Sequence, residues 1–352
     1  MFFTKRRVRA ALIAGVAASA LLLTSCAGSG DKGDANGGAE GPKFIYITSD
    51  PIGQNEFLKS GKTGIETVAK DFKGTSKTYE SKDDATRRTN VEQAVAESPK
   101  VVVMLGFQFS DLAVELAQAN PQQKFLLIDA PDVKSDLENL YVADFREYEP
   151  SYLLGIEAGM LTKDNKIGSI LSLDIPLLQK YSGGFAEGAK SVNPKVKIEG
   201  PQIIGGENPF ADPGRAKEQA IAFSGTGVDQ VFAVGAASNG GILDAAKAKG
   251  FSAYGVDSNQ CPTAEGAVVD GTVKAVDKVV ETVVGEIMED KTPKDATRSF
   301  GLKEEGMTIV SLTEGAADSK CTVMDSPDVL KKVTETRDKI VSGELEVKNP
   351  IG

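Results

Sequence analysis

Val101-Val102-Val103-Met104-Leu105-Gly106-Phe107 is a five-residue apolar run, rich in valine, stopped by a glycine and followed by a segment of helical period. A strand whose side chains are all apolar is covered on both faces, as strands of parallel sheets are. Outward from it, similar runs recur at 43–48, 125–128, 140–143, 166–171, 196–198, 230–234 and 252–256. Segments of helical length and period lie between them, at 57–72, 86–97, 111–119, 152–161, 181–191, 215–223 and 240–249. Apolar strands alternating with amphipathic helices predict parallel sheets with helices on both faces. The series is too long for one comfortable sheet and restarts around 148–166, so two doubly wound α/β lobes are expected.

In open sheets of this kind, ligands bind beyond the carboxyl ends of the strands. Several strands end in polar groups: Thr48-Ser49-Asp50, Gly106-Phe107, Asp129, Asp144 to Glu147, Asp174, Gly235 to Asn239, and Asp257 to Gln260. Any one of them reads as a helix cap. Their accumulation along the same edge predicts a cleft.

The composition narrows what such a cleft can do. The chain has no histidine, the commonest metal ligand and general base, so Ser-His-Asp and Cys-His catalysis are excluded. The 40 basic and 50 acidic residues give −10; without the four cations at Lys5, Arg6, Arg7 and Arg9 the balance is 36 against 50, or −14. An acidic body argues against nucleic acid as a partner. Ser60-Gly61-Lys62-Thr63 looks like the end of a phosphate loop, but the position that needs the first glycine is Glu56, and the lysine lies inside a helical segment. Gly183-Gly184 and Gly240-Gly241 lack dinucleotide-binding spacing and read as packing or turn glycines. Cys261 has no CxxC partner, which removes zinc and thioredoxin-type chemistry. No metal, cofactor or catalytic residue is expected.

The amino terminus carries a different message. Its cations precede an apolar run at 10–23, shorter than the roughly 20 residues a spanning helix needs. The run ends in Leu23-Thr24-Ser25-Cys26, which resembles the lipobox of bacterial lipoproteins. That resemblance implies a signal peptide at 1–25 and acyl chains, palmitate among them, on Cys26. Residues 27–41 are small and polar, and read as a flexible tether leading to folded sequence near Lys43. In an exported protein, Cys261 and Cys321 are candidates for a disulfide, the alternative being two separate buried thiols.

From about Lys43 onward the body resembles the basic membrane protein family of substrate-binding lipoproteins, which serve ABC importers and are similar to bacterial purine nucleoside receptors. The resemblance rests on Val103 to Phe107, Phe145-Arg146-Glu147-Tyr148-Glu149, Ser151 to Gly155, Asp174-Ile175-Pro176, Gly184 to Gly188, Val192-Asn193-Pro194, Asn208 to Pro213 and Tyr254 to Ser258. It implies a type I periplasmic-binding fold, two lobes joined by a hinge: 43–147 plus about 260–300, and 148–259 plus about 301–352. It also implies a ligand site containing Asp50, Asn55, Phe57, Gly106, Phe107, Asp129, Phe210, Asp257 and Lys274. Phe57 and Phe210 would stack on a flat base, and Asp257 would accept from ribose hydroxyls.

The first loop departs from the family pattern. Asp50-Pro51-Ile52-Gly53-Gln54-Asn55-Glu56-Phe57-Leu58 is two residues shorter than the family's stretch, and Leu58 stands where an asparagine follows the aromatic. Changing the groups that hydrogen-bond a base changes the ligand accepted. The expected ligand is therefore a small, flat, polar molecule, a nucleoside first, with sugar and flavin as alternatives. The expected role is delivery to an ABC permease by a monomeric body anchored through lipid on the extracytoplasmic face of the cell membrane. A sensor for a membrane signalling partner is the second reading, and a cleft enzyme such as a nucleoside hydrolase the third.

Overall fold

A computed structural model describes residues 41–134, 136–291 and 298–352. The leader, Cys26 and nearly all of the tether lie outside the described residues.

The first sheet is built from β1 (Lys43–Thr48), β2 (Thr75–Glu80), β3 (Val101–Leu105), β4 (Lys124–Ile128) and β5 (Leu140–Phe145), with helices α1 (Glu56–Asp71), α2 (Asp84–Ala96) and α3 (Ser110–Ala119) between them. Their spatial order is β5-β4-β3-β1-β2, every pair parallel. Burial follows the two-residue period of a strand. Phe44, Tyr46, Val101, Val103 and Leu105 enter one core, while Ile45, Ile47, Val102 and Met104 enter the core on the opposite face. Coverage on both faces is what the unbroken apolar runs require.

The second sheet repeats the plan. It contains β6 (Lys166–Leu171), β7 (Lys197–Ile198), β8 (Gln202–Ile203), β9 (Gln230–Val234), β10 (Ser252–Gly255) and β11 (Val268–Lys274). Helices α4 (Tyr148–Leu161), α5 (Pro176–Val192), α6 (Pro213–Ser224) and α7 (Asn239–Lys249) are interleaved with them. The order β11-β10-β9-β6-β7 mirrors that of the first sheet, and β8 also pairs with β6. A Cβ on Gly184 would strike the backbone of Tyr148, and one on Gly241 the backbone of Pro213, so both glycines serve close helix packing.

The chain then returns. Helix α8 (Val276–Met288) packs on α1, β12 (Arg298–Phe300) adds to β5, and β13 (Met307–Ile309) pairs antiparallel with β11 before the final helix α9 (Pro327–Ser342). The return to the first sheet was expected near 260. It comes after Lys274 instead, because 268–274 is a strand of the second sheet. Its Asp, Gly and Lys interrupt the apolar pattern by which the other strands are recognised.

The three crossovers are tied to one another. Arg146 N donates to Phe300 O (2.9 Å) and Arg146 Nη1 to Ser299 O (2.6 Å), while Ala275 N donates to Gly306 O (2.9 Å). Arg146 also pairs with Glu149 Oε1 (2.6 Å), and Glu149 Oε2 accepts from Leu302 N (2.8 Å).

Cys261 and Cys321 form a disulfide, each buried in the second lobe, 60 residues apart. Opening a loop of that length costs about 4 kcal/mol on chain-entropy grounds. Replacing both cysteines with serine should lower the urea unfolding free energy by about that amount. The wild-type protein under reductant should match the variant.

Candidate functional site

The carboxyl ends of the two sheets face each other, and all nine residues expected at a site line one cavity of about 70 Å³. Asp50 follows β1, Gly106 and Phe107 follow β3, Asp129 follows β4, and Asn55 and Phe57 stand at the start of α1. From the second lobe come Phe210 ahead of α6, Asp257 beyond β10, and Lys274, the last residue of β11. Asn55 also caps α1, its Oδ1 accepting from Leu58 N (3.3 Å).

The backbone at these strand ends is unusual. Asp129 and Asp257, at equivalent places in the two lobes, both have φ of +69°. Left-handed backbone is costly for residues other than glycine and gathers at functional sites. Gly106 has φ of +118°, and a Cβ there would lie 2.6 Å from Gln108 Oε1 and 3.0 Å from Ser49 Oγ. Only glycine fits at that turn.

Lys274 is the electrostatic centre. Its ammonium lies 2.5 Å from Asp129 Oδ1 and 3.1 Å from Glu147 Oε1, and all three side chains are buried. It also sits over the rings of Phe145 (4.4 Å), Phe57 (5.2 Å) and Tyr181 (5.8 Å), distances at which a ring face attracts a cation. Burial opposes the lysine's charge, but Asp129, Tyr181, Glu147 and Asp257 hold its pKa well above the ordinary value. Behind it, Lys180 Nζ lies 3.3 Å from Glu147 Oε2. Burial pushes Glu147 upward while Lys274 and Lys180 pull it back. Burial likewise lifts Asp257 to about 6, against the pull of Lys274.

On the opposite wall, Arg87 of α2 fixes the first loop: Nε donates to Ser49 O (2.8 Å) and Nη2 lies 3.4 Å from Asp50 Oδ1. Gln108 Nε2 donates to Asp50 Oδ2 (3.3 Å). Phe107 and Phe210 meet across the cleft, ring centroids 6.5 Å apart and tilted by 56°. The arrangement offers aromatic faces, carboxylate acceptors and one cation already neutralised by two acids.

Ser49 and Ala236, marked in the sequence only as parts of strand ends, also line the cavity, and sequence reasoning missed Gln108, Leu177, Leu178, Tyr181, Val234 and Val256. Gln108 could have been found from Gly106-Phe107 beside it. Leu177, Leu178 and Tyr181 read as core, and only their place at the start of the helix after β6 marks them.

A family model described as ABC transporter substrate-binding protein PnrA-like matches residues 42–350. The chain belongs to that family. Among PnrA-like and related proteins, it is 27% identical to the ABC transporter nucleoside-binding protein BmpA of Lactococcus lactis subsp. cremoris, over 97% of this chain and 99% of that one. It is 26% identical to basic membrane protein A of Borreliella burgdorferi, over 93% of this chain and 92% of that one. In fold it resembles the ABC transporter solute-binding protein from Aeropyrum pernix K1, with a TM-score of 0.73 and 23% identity over 88% of this chain and 94% of that one. The two-lobed architecture is that of the ABC solute-binding proteins, and substrate binding for an ABC transporter is the role of the PnrA-like family.

Removing one partner from a buried ion pair costs about 3–5 kcal/mol, because the other charge is stranded. Lys274→Met should therefore lower the unfolding free energy by about 3 kcal/mol in urea. Adding Asp129→Asn should restore part of the loss, whereas the same change alone in the wild-type background should destabilise.

Proposed function

We propose that the protein is a lipid-anchored receptor that captures a nucleoside on the extracytoplasmic face of the membrane and delivers it to an ABC permease. The observation that carries this reading is the pairing of opposed aromatic rings with carboxylate acceptors around an already neutralised cation. Phe57, Phe107 and Phe210 suit the faces of a flat ring, and Asp50 and Asp257 suit donors on its edge and on a sugar. The nucleoside-binding relative from Lactococcus supports the same class of ligand.

A base held between two rings needs about 7 Å between their planes, two van der Waals layers. Phe107 and Phe210 touch each other at 6.5 Å, and the cavity of about 70 Å³ is far below the roughly 300 Å³ at which ligand pockets begin. Binding therefore includes parting of these rings by opening of the lobes. Among the carboxylates of the cleft, Asp129 is already engaged by Lys274 at 2.5 Å.

The anchor in this reading is Cys26. Several acyl chains, at about 0.8 kcal/mol per buried methylene, hold a body on a membrane without a spanning helix. Among the described residues no helix is long and apolar enough to cross one. Cys26→Ala should release or mislocalise the protein while ligand affinity stays the same, measured by fractionation and calorimetry.

Calorimetric titration of the full chain with nucleosides, bases, sugars and flavins tests the ligand. A nucleoside should bind and be recovered unchanged; binding by a sugar or flavin alone, or release of free base, would refute the proposal. Phe210→Ala should weaken nucleoside binding about thirtyfold, near 2 kcal/mol, with little change in the unliganded melting temperature.

The pH profile has a definite sign. Asp257 accepts from ligand hydroxyls as a carboxylate, and with its pKa at about 6 its protonation should weaken affinity about tenfold between pH 7 and pH 5. Because that pKa is raised by folding, the same group favours the unliganded fold as pH falls. Affinity and this group's share of stability should move in opposite directions, and Asp257→Asn should flatten both.

A further inference from the structure

Away from the cleft, the second lobe buries two carboxylates against each other. Glu157 lies on α4 and Asp270 on β11, and both are fully buried. Asp270 Oδ1 accepts from Gly271 N (2.8 Å) and Ser311 N (3.1 Å), and Oδ2 also lies 3.3 Å from Ser311 N. Glu157 is within hydrogen-bonding reach of Asp270, yet neither of its oxygens meets a donor among the described residues. Thr272 Oγ1, two residues along the same face of β11, is also buried and meets no partner among the described residues.

No lysine or arginine among the described residues acts on Glu157. Helices α5 and α9 and strand β13 also pack on α4 and bring no charge to it. The other titratable group beside the pair is Tyr254 of β10, buried, its hydroxyl donating to Gln230 Oε1 (3.1 Å). Two carboxylates in contact, shielded from water and without a counter-cation, cannot both be ionised.

The geometry points to a proton held between Glu157 and Asp270 at neutral pH, with Glu157 as the acid that donates and Asp270 as the carboxylate that accepts. The roles follow from the amides: hydrogen bonds from Gly271 N and Ser311 N stabilise the charged form of Asp270, and Glu157 has none. Burial, then the charge of Asp270, pushes Glu157 well above the usual carboxylate range. The shared proton joins α4 to β11. Glu147 directly precedes α4, and Lys274 ends β11 on the face that carries Asp270 and Thr272. The proton thus secures the two elements that bring Glu147 and Lys274 together.

An acid whose pKa is raised by folding holds its proton more tightly in the native state, so stability falls as pH rises above the acid's unfolded pKa. Urea unfolding of the full chain, from about pH 6 to about pH 9, should show a steeper fall for wild type than for Glu157→Gln, the slopes differing by up to about one proton. Carboxyl-13C glutamate NMR of the wild type at neutral pH should show one protonated side chain, absent from Glu157→Gln. Equal slopes, or a wild type with every glutamate ionised, would overturn the inference. So would selective stabilisation of wild type by Na+, K+ or Ca2+ at constant ionic strength, which would place a cation between the acids instead. If Glu157→Gln does not fold, the wild-type NMR titration decides alone.

Discussion

The structure turns on one buried ammonium. Removing a lysine charge from water costs several kcal/mol, and only close counter-charges with further contacts offset it. Lys274 obtains them from both lobes and from the crossover: Asp129 at the end of β4, Glu147 ahead of α4, and the faces of Phe57, Phe145 and Tyr181. Each partner is in place only if its own element is. The interaction therefore ties the order of strands in both sheets to the floor of the cleft.

The doubling of the topology explains why acids meet there. Both sheets run in the same order, so β4 corresponds to β10, and each is followed within two residues by an aspartate with the same left-handed backbone. Facing lobes bring these equivalent ends together, and two like charges converge. The symmetry is broken one strand further on. Where β5 passes through Phe145 into Arg146, β11 ends in Lys274, and that side chain returns to the cleft to join Asp129.

Strands 43–48, 101–105, 166–171 and 230–234 have the bounds that their apolar runs suggest, because such strands are covered on both faces. β2 carries no such run: it is an edge strand, mostly exposed or half-buried. β11 is hidden for a different reason. Its polar face is buried, with Asp270 and Thr272 against α4 and Lys274 in the site, so function erases the pattern by which a central strand is recognised. Nine of the lining residues were legible: Asp50, Gly106, Phe107, Asp129 and Asp257 stand at strand ends, and Asn55, Phe57, Phe210 and Lys274 follow only from the family resemblance. Glu147 and Lys180 were not, although Glu147 lies within a quoted motif. Their role arises from contacts such as Lys274 to Glu147, 127 residues apart, which no local spacing encodes.

The arrangement of charge also bears on selectivity under the proposed function. The buried cation of the cleft is already engaged by Asp129 and Glu147. Arg87 is directed at the Ser49 carbonyl, Asp84 and Asp50. What the cleft still offers an incoming molecule is the carboxylate of Asp257 and the remaining acceptor capacity of Asp50, which Arg87 and Gln108 already touch, beside aromatic faces. A phosphorylated ligand would meet like charge in a partly desolvated space, where repulsion is stronger than in water. A neutral ring with donors on its edge meets acceptors instead. The same ion network that closes the fold at the hinge thus biases the site toward uncharged molecules.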